Sequence, residues 1–218
     1  DAKLADWAVE AATENPEVKA KIFQSMRATF SEHAVLATNT SSISITQIAT
    51  ATGDAADRVV GMHFFNPVPV MKLVEVIKGL ATSDETVART VALAERMGKT
   101  PIPANDRAGF VSNRVLMPLI NEAFCAWMEG VAEPEAIDEI MKLGCNFPMG
   151  PLRLADFIGL DVCHDIMMVL YRELGDQKSL ASSSEADMRA LKLESKETVE
   201  ALGARLCAPA LHTLGARL

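Results

Sequence analysis

Residues 61 to 77 read GMHFFNPVPVMKLVEVI, two apolar, strand-like runs joined by a connector that contains two prolines. Each run is interrupted by one ionisable residue, His63 in the first and Glu75 in the second. A carboxylate is almost never buried alone, and an imidazole in an apolar run is costly unless it is paired or functional. A structural, hydrogen-bonded histidine is the plain reading of His63 taken by itself. Two such residues on neighbouring strands are better explained as one dyad. Imidazole is the side chain best suited to exchanging a proton near neutral pH, and a carboxylate beside it fixes its tautomer and raises its basicity.

Outward from this stretch, helix and strand alternate. Arg58 to Phe65 and Lys72 to Ile77 are the two strands. Upstream, Glu17 to Phe30 has Val18, Ile22, Met26 and Phe30 at four-residue spacing and predicts a helix, followed by a short strand at Ala34–Ala37. Ser44 with Gln47 predicts a capped short helix that stops at Gly53. Thr82 with Glu85 predicts a capping box for a helix running to about Gly98. Thr100 to Ala104 predicts a further strand whose two prolines favour a sheet edge. This alternation is that of an open α/β sheet. After Asp106 the texture changes to helices alone, over 108–128, 134–143, 151–157 and 160–174. Pro118 lies inside the first of these, and Asp161 is the expected N-cap of the last. The boundary is expected near Asn105, giving a sheet domain over 1–105, a helical domain over 106–178 and a tail over 179–218.

Composition narrows the function. Of 218 residues, 49% are hydrophobic and 23% charged, ordinary for a globular protein. No apolar run approaches the roughly 20 residues of a membrane span, and no secretory signal is visible. The net charge of −8 argues against nucleic acid or an anionic lipid surface as partner. The four cysteines (Cys125, Cys145, Cys163, Cys207) are far apart and read as buried thiols in a reducing compartment, the cytoplasm. No metal site is expected. His33, His164 and His212 lack a suggestively spaced carboxylate and read as surface or satisfied residues.

Two further polar positions fit a core poorly. Asn113 shares a helix face with Leu116, Met117, Ile120, Phe124 and Trp127, so it either bonds its own backbone or reaches into a cleft. Ser41 sits in Thr38-Asn39-Thr40-Ser41-Ser42, a polar knot at a strand end. Such knots are common turns and caps, but strand C-termini are also where open α/β sheets bind ligands.

Thr38–Ser42, Gly61–Pro69, Lys72–Val76, Gly109–Arg114 and the later Phe147–Pro151 and Asp156–Asp161 together closely resemble the 3-hydroxyacyl-CoA dehydrogenases, over roughly Val9 to Asp176. The bacterial 3-hydroxybutyryl-CoA branch is the nearest in pattern. The resemblance implies a Rossmann-like NAD-binding sheet followed by a helical domain, with an acyl-CoA substrate in the cleft between domains and a homodimer formed through the helices. It implies His63 as the general base for the 3-hydroxyl proton, held by Glu75, with Ser41 and Asn113 bonding the reacting oxygen and the imidazole. Glu14, Lys19, Asn39 and Ser41 match positions on the cofactor side, and Asn66 joins Ser41 and Asn113 on the substrate side.

Two departures qualify this. A dinucleotide fold of this kind opens with a strand, a G-x-G-x-x-G turn and a helix that holds the pyrophosphate, and the 218 residues contain no such stretch ahead of Trp7-Ala8-Val9-Glu10. After about Asp176 a Ser-rich run and a polar stretch replace the expected pattern, and LGARL at 202–206 recurs at 214–218. A partial or frame-shifted coding sequence is expected to give both. Alongside NAD-dependent oxidation of a 3-hydroxyacyl-CoA stand two alternatives: a non-catalytic remnant or helical dimerisation module, and a related dehydrogenase acting on free hydroxy acids.

Overall fold

The computed structural model describes residues 2–175. The chain divides into two compact units, the first ending at Val111 and the second beginning at Ser112. Cys207, His212 and the repeated LGARL lie outside the described residues.

The first unit is built on five strands in the order β1 (Trp7–Glu10), β2 (Val35–Thr38), β3 (Val59–Phe64), β4 (Leu73–Lys78) and β5 (Thr100–Asn105). β1, β2 and β3 run parallel, β4 is antiparallel to β3, and β5 is parallel to β4. Successive side chains point to opposite faces. Leu36, Val59 and Ile77 pack with Ile45 and Ile48 of α2 (Ile45–Thr50) and with Phe23 and Met26 of α1 (Pro16–Thr29). Val35, Ala37, Val60, Met62, Val74 and Val76 pack on the other face, against Ala94 of α3 (Asp84–Arg96). Burial of each such large side chain contributes about 1.5 to 3 kcal/mol. β2 is covered on both faces, which is why it reads as a continuous apolar run rather than an alternating one.

Gly61 shows how tightly α2 meets the sheet. A Cβ there would lie 2.8 Å from Ile77 Cβ and 2.9 Å from Ile45 Cδ1. β5 lies at the sheet edge, as its prolines suggest. Thr100 N–H donates to Lys72 O and Asp106 N–H to Lys78 O, so the alternate positions Pro101 and Pro103 face away from β4.

Several local expectations are corrected. Ser83, not Thr82, caps α3 by accepting Thr86 N–H at 3.1 Å. The Thr82 hydroxyl is buried and donates to Val59 O at 2.6 Å, so it holds a sheet instead of a helix end. α2 stops at Thr50, and a 3₁₀ segment follows over Gly53–Arg58. The first helix of the second unit, α4 (Ser112–Met128), begins four residues later than expected, because Gly109 (φ 73°) and Phe110 (φ 48°) both take left-handed backbone.

Among the described residues the second unit is helical: α4, α5 (Pro134–Cys145), α6 (Pro151–Ile158) and α7 (Leu160–Leu174). α4 packs on α6 and α7, and α5 on α6. Asp138 of α5 closes the start of α6, its carboxylate accepting Leu152 N–H at 2.8 Å and Arg153 N–H at 2.9 Å. Gly150 leaves room for it, since a Cβ would sit 2.3 Å from Asp138 Cβ. Gly159, not Asp161, is the residue preceding α7, and its φ of 102° makes the sharp break from α6. Cys125 and Cys163 are buried, whereas Cys145, at the end of α5, is exposed. Burial pushes the Cys163 thiol up to about 12, with Asp161 adding to the effect. It is an inert core residue. His33 is a surface residue and His164 is buried.

Candidate active site

His63 and Glu75 are directly opposite in the antiparallel register of β3 and β4, which puts both side chains on the α2 face of the sheet. His63 Nδ1 lies 2.7 Å from Glu75 Oε2, and the two residues are 6% and 4% exposed. The other carboxylate oxygen accepts Val111 N–H at 3.3 Å. With Glu75 ionised, this arrangement selects the tautomer that carries its proton on Nδ1, leaving the Nε2 lone pair as the proton acceptor. Two rings enclose the imidazole: Phe65 at 4.7 Å and Phe110 at 5.8 Å between centroids. Phe110 holds its left-handed backbone at a cost of about 1 to 2 kcal/mol, offset by burial of its ring against the imidazole and the core.

A second cluster lies where β1 and β2 end. The Glu14 carboxylate accepts Thr40 O–H at 2.7 Å and the Ser41 N–H, and so joins the loop after β1 to the loop after β2. Thr40 Oγ1 in turn accepts Ile43 N–H at 3.0 Å. Beneath it lies a buried ionic group. Lys19 Nζ donates to Glu10 Oε2 at 2.6 Å and to Thr38 Oγ1 at 3.2 Å, Thr38 O–H donates to Glu10 Oε2 at 2.7 Å, and Ala12 N–H donates to Glu10 Oε1 at 2.6 Å. Burial alone would raise the Glu10 carboxyl, but the Lys19 ammonium, with Ala12 N–H and Thr38 O–H, outweighs it and holds the group below the usual carboxylate range.

The sequence-predicted residues therefore fall into groups. Glu14 and Ser41 are bonded to each other. Asn39 connects this cluster to the dyad strand, its Oδ1 accepting Phe64 N–H at 2.9 Å, next to His63. Asn66 is exposed on the β3–β4 connector. Asn113 is buried on α4 of the helical unit, on the stripe with Met117, Ile120 and Phe124. Lys19 has no exposed surface. Sequence reasoning missed Phe65 and Phe110 as walls around the imidazole, and Glu10 as the partner of Lys19. Glu10 had a signal: a carboxylate ending the apolar Trp7-Ala8-Val9 run, in the manner of Glu75.

Comparison with known proteins assigns these residues a context. Residues 1–107 match the family model described as 3-hydroxyacyl-CoA dehydrogenase, NAD binding domain, and residues 109–201 match the 3-hydroxyacyl-CoA dehydrogenase C-terminal domain. A probable 3-hydroxybutyryl-CoA dehydrogenase of Bacillus subtilis is 60% identical over 178 residues, covering 82% of this chain and 62% of its own length. A mitochondrial hydroxyacyl-coenzyme A dehydrogenase of Sus scrofa is 43% identical over 191 residues, covering 88% and 60% respectively. Among solved structures, the (S)-3-hydroxybutyryl-CoA dehydrogenase of Ralstonia eutropha superposes with a TM-score of 0.80 at 53% identity, covering 87% of this chain and 65% of that one. The chain thus spans about three fifths of the length of the curated relatives it matches.

Proposed function

The chain belongs to the 3-hydroxyacyl-CoA dehydrogenase family, and on that premise we propose that its protein oxidises an (S)-3-hydroxyacyl-CoA to the 3-oxoacyl-CoA, with NAD as hydride acceptor. The observation that carries the proposal is the buried 2.7 Å contact of His63 Nδ1 with Glu75. His63 Nε2 takes the proton of the 3-hydroxyl group as the C3–H bond breaks. Glu75 stays ionised, orients the ring and stabilises the imidazolium that forms. Phe65 and Phe110 keep water from the imidazole face, which strengthens its attraction to Glu75. Ser41 lends a hydroxyl for the reacting oxygen, and the family pattern gives Asn113 and Asn66 the same kind of role.

The bound cofactor supplies the hydride-accepting nicotinamide ring. The residues at the ends of β1 and β2 fit its ribose and carboxamide end. Glu14, Asn39, Thr40 and Ser41 form an acidic-to-neutral set that suits hydroxyl and amide groups. The cation at these strand ends, Lys19, is neutralised by Glu10 and enclosed, so the set does not suit a phosphate. Exposed Ile140, Leu143 and Phe157 on α5 and α6 support a homodimer through the helical unit.

The substrate to try first is the four-carbon acyl-CoA, after the names of the bacterial relatives. The purified protein is expected to consume NADH when given acetoacetyl-CoA and to leave free acetoacetate untouched. Equal rates on both would favour the free-acid reading and overturn the thioester assignment.

A further inference from the structure

We propose that Lys99 is a positioning residue for the substrate: its ammonium clasps two carbonyls of the β3–β4 connector and so fixes Asn66 just beyond the strand that carries His63. The inference rests on the dehydrogenase reading, in which Asn66 meets the substrate, and goes beyond it by naming the group that holds Asn66 in place. Lys99 Nζ donates to Met71 O at 2.8 Å and also to Val68 O.

The connector has little packing to fix it. Residues 66–72 are all exposed, so no buried side chain anchors them. Pro67 and Pro69 have no N–H to give. The Val70 and Met71 N–H groups both donate to Pro67 O, at 2.9 and 3.0 Å. The carbonyls of Val68 and Met71 take their donor from Lys99 instead, and an ammonium, with three donors and no acceptor, can serve both. Lys99 is itself firmly held. Its N–H donates to Ala94 O at 3.0 Å in the last turn of α3, and the N–H of the next residue, Thr100, donates to Lys72 O at 2.8 Å. β4 and β5 start side by side, Leu73 opposite Thr100, so the turn before β5 stands next to the connector before β4. On the β3 side, Phe64 N–H is held by Asn39 Oδ1. Asn66 therefore lies between two tethers, and Lys99 supplies the second. Water would satisfy both carbonyls in place of the ammonium, so the clasp adds little to stability. What it adds is position.

A clasp, a phosphate ligand and a merely structural lysine give different results in one set of measurements on the full chain carrying Lys99→Met. Turnover is followed with acetoacetyl-CoA and with acetoacetyl-pantetheine, a thioester that has no phosphate. The clasp predicts that KM rises about tenfold for both thioesters, while kcat and the NADH dissociation constant stay within about twofold. The Val70 and Met71 amides are expected to exchange at least about fivefold faster, with the urea midpoint nearly unchanged. Lys99→Arg, whose guanidinium also offers several donors, is expected to recover most of the loss. A KM defect confined to acetoacetyl-CoA would make Lys99 a phosphate ligand and overturn the proposal. So would an unchanged KM, or a lower urea midpoint with KM and NADH affinity worsening together. If Lys99→Met does not fold, Lys99→Gln shortens the side chain and removes its charge, and the same measurements apply. A wild-type protein without turnover on either thioester would count against the dehydrogenase reading, while the exchange rates of Val70 and Met71 would still decide whether Lys99 holds the connector.

Discussion

At the scale of single residues, the chemistry depends on two side chains placed against the grain of their strands. His63→Gln is expected to lower turnover by about two to four powers of ten, measured as NADH consumption with acetoacetyl-CoA, since general base catalysis is usually worth that much. Unchanged turnover would remove His63 from the mechanism. The pair was legible in the sequence because both residues break an apolar run, and a buried ionisable group demands a partner. Lys19 was less so. The family resemblance placed it on the cofactor side, but its burial depends on β1 and β2 arriving beneath it with Glu10 and Thr38. Phe110 was illegible for another reason: its left-handed backbone is imposed by the packing around it, and no side-chain pattern announces it.

At the scale of elements, close approach decides more than propensity does. Gly61→Ala drives a methyl into Ile77 and Ile45, so it is expected to destabilise the first unit by about 1 to 3 kcal/mol, read as a lower urea midpoint with unchanged slope. Asp138→Ala removes both carboxylate bonds to the start of α6, a cap loss worth about 0.5 to 2 kcal/mol by the same measurement on the second unit. The strands and most helices were legible from periodicity, and Ser44 from its spacing to Gln47. Thr82 and Ser83 were not separable, because both suit a cap. The difference lies in Val59 O, a tertiary acceptor that claims the Thr82 hydroxyl.

At the scale of the whole molecule, buried carboxylates tie stability to pH. Glu10 has a folded value below its ordinary 4.5, so between the two values the unfolded chain binds more protons than the folded one. Its contribution is therefore complete above about 4.5 and fades as pH falls through the lowered folded value. Urea midpoints followed across this window should drop less steeply in Glu10→Gln than in the wild type, and parallel slopes would contradict the linkage. Exposed Asp54 and Asp84, held low by Arg27 and Lys78, contribute in the same direction but are screened by solvent. The division into an α/β part and a helical part was legible from the change in texture after Asp106, whereas the order of the strands required the long-range pairing itself. That order also sets a limit on how the molecule meets others. With Pro101 and Pro103 turned outward on β5, a visiting peptide finds rings where its carbonyls would look for donors. Recruitment of a foreign strand, and the fibrillar stacking that begins the same way, is closed off along that border.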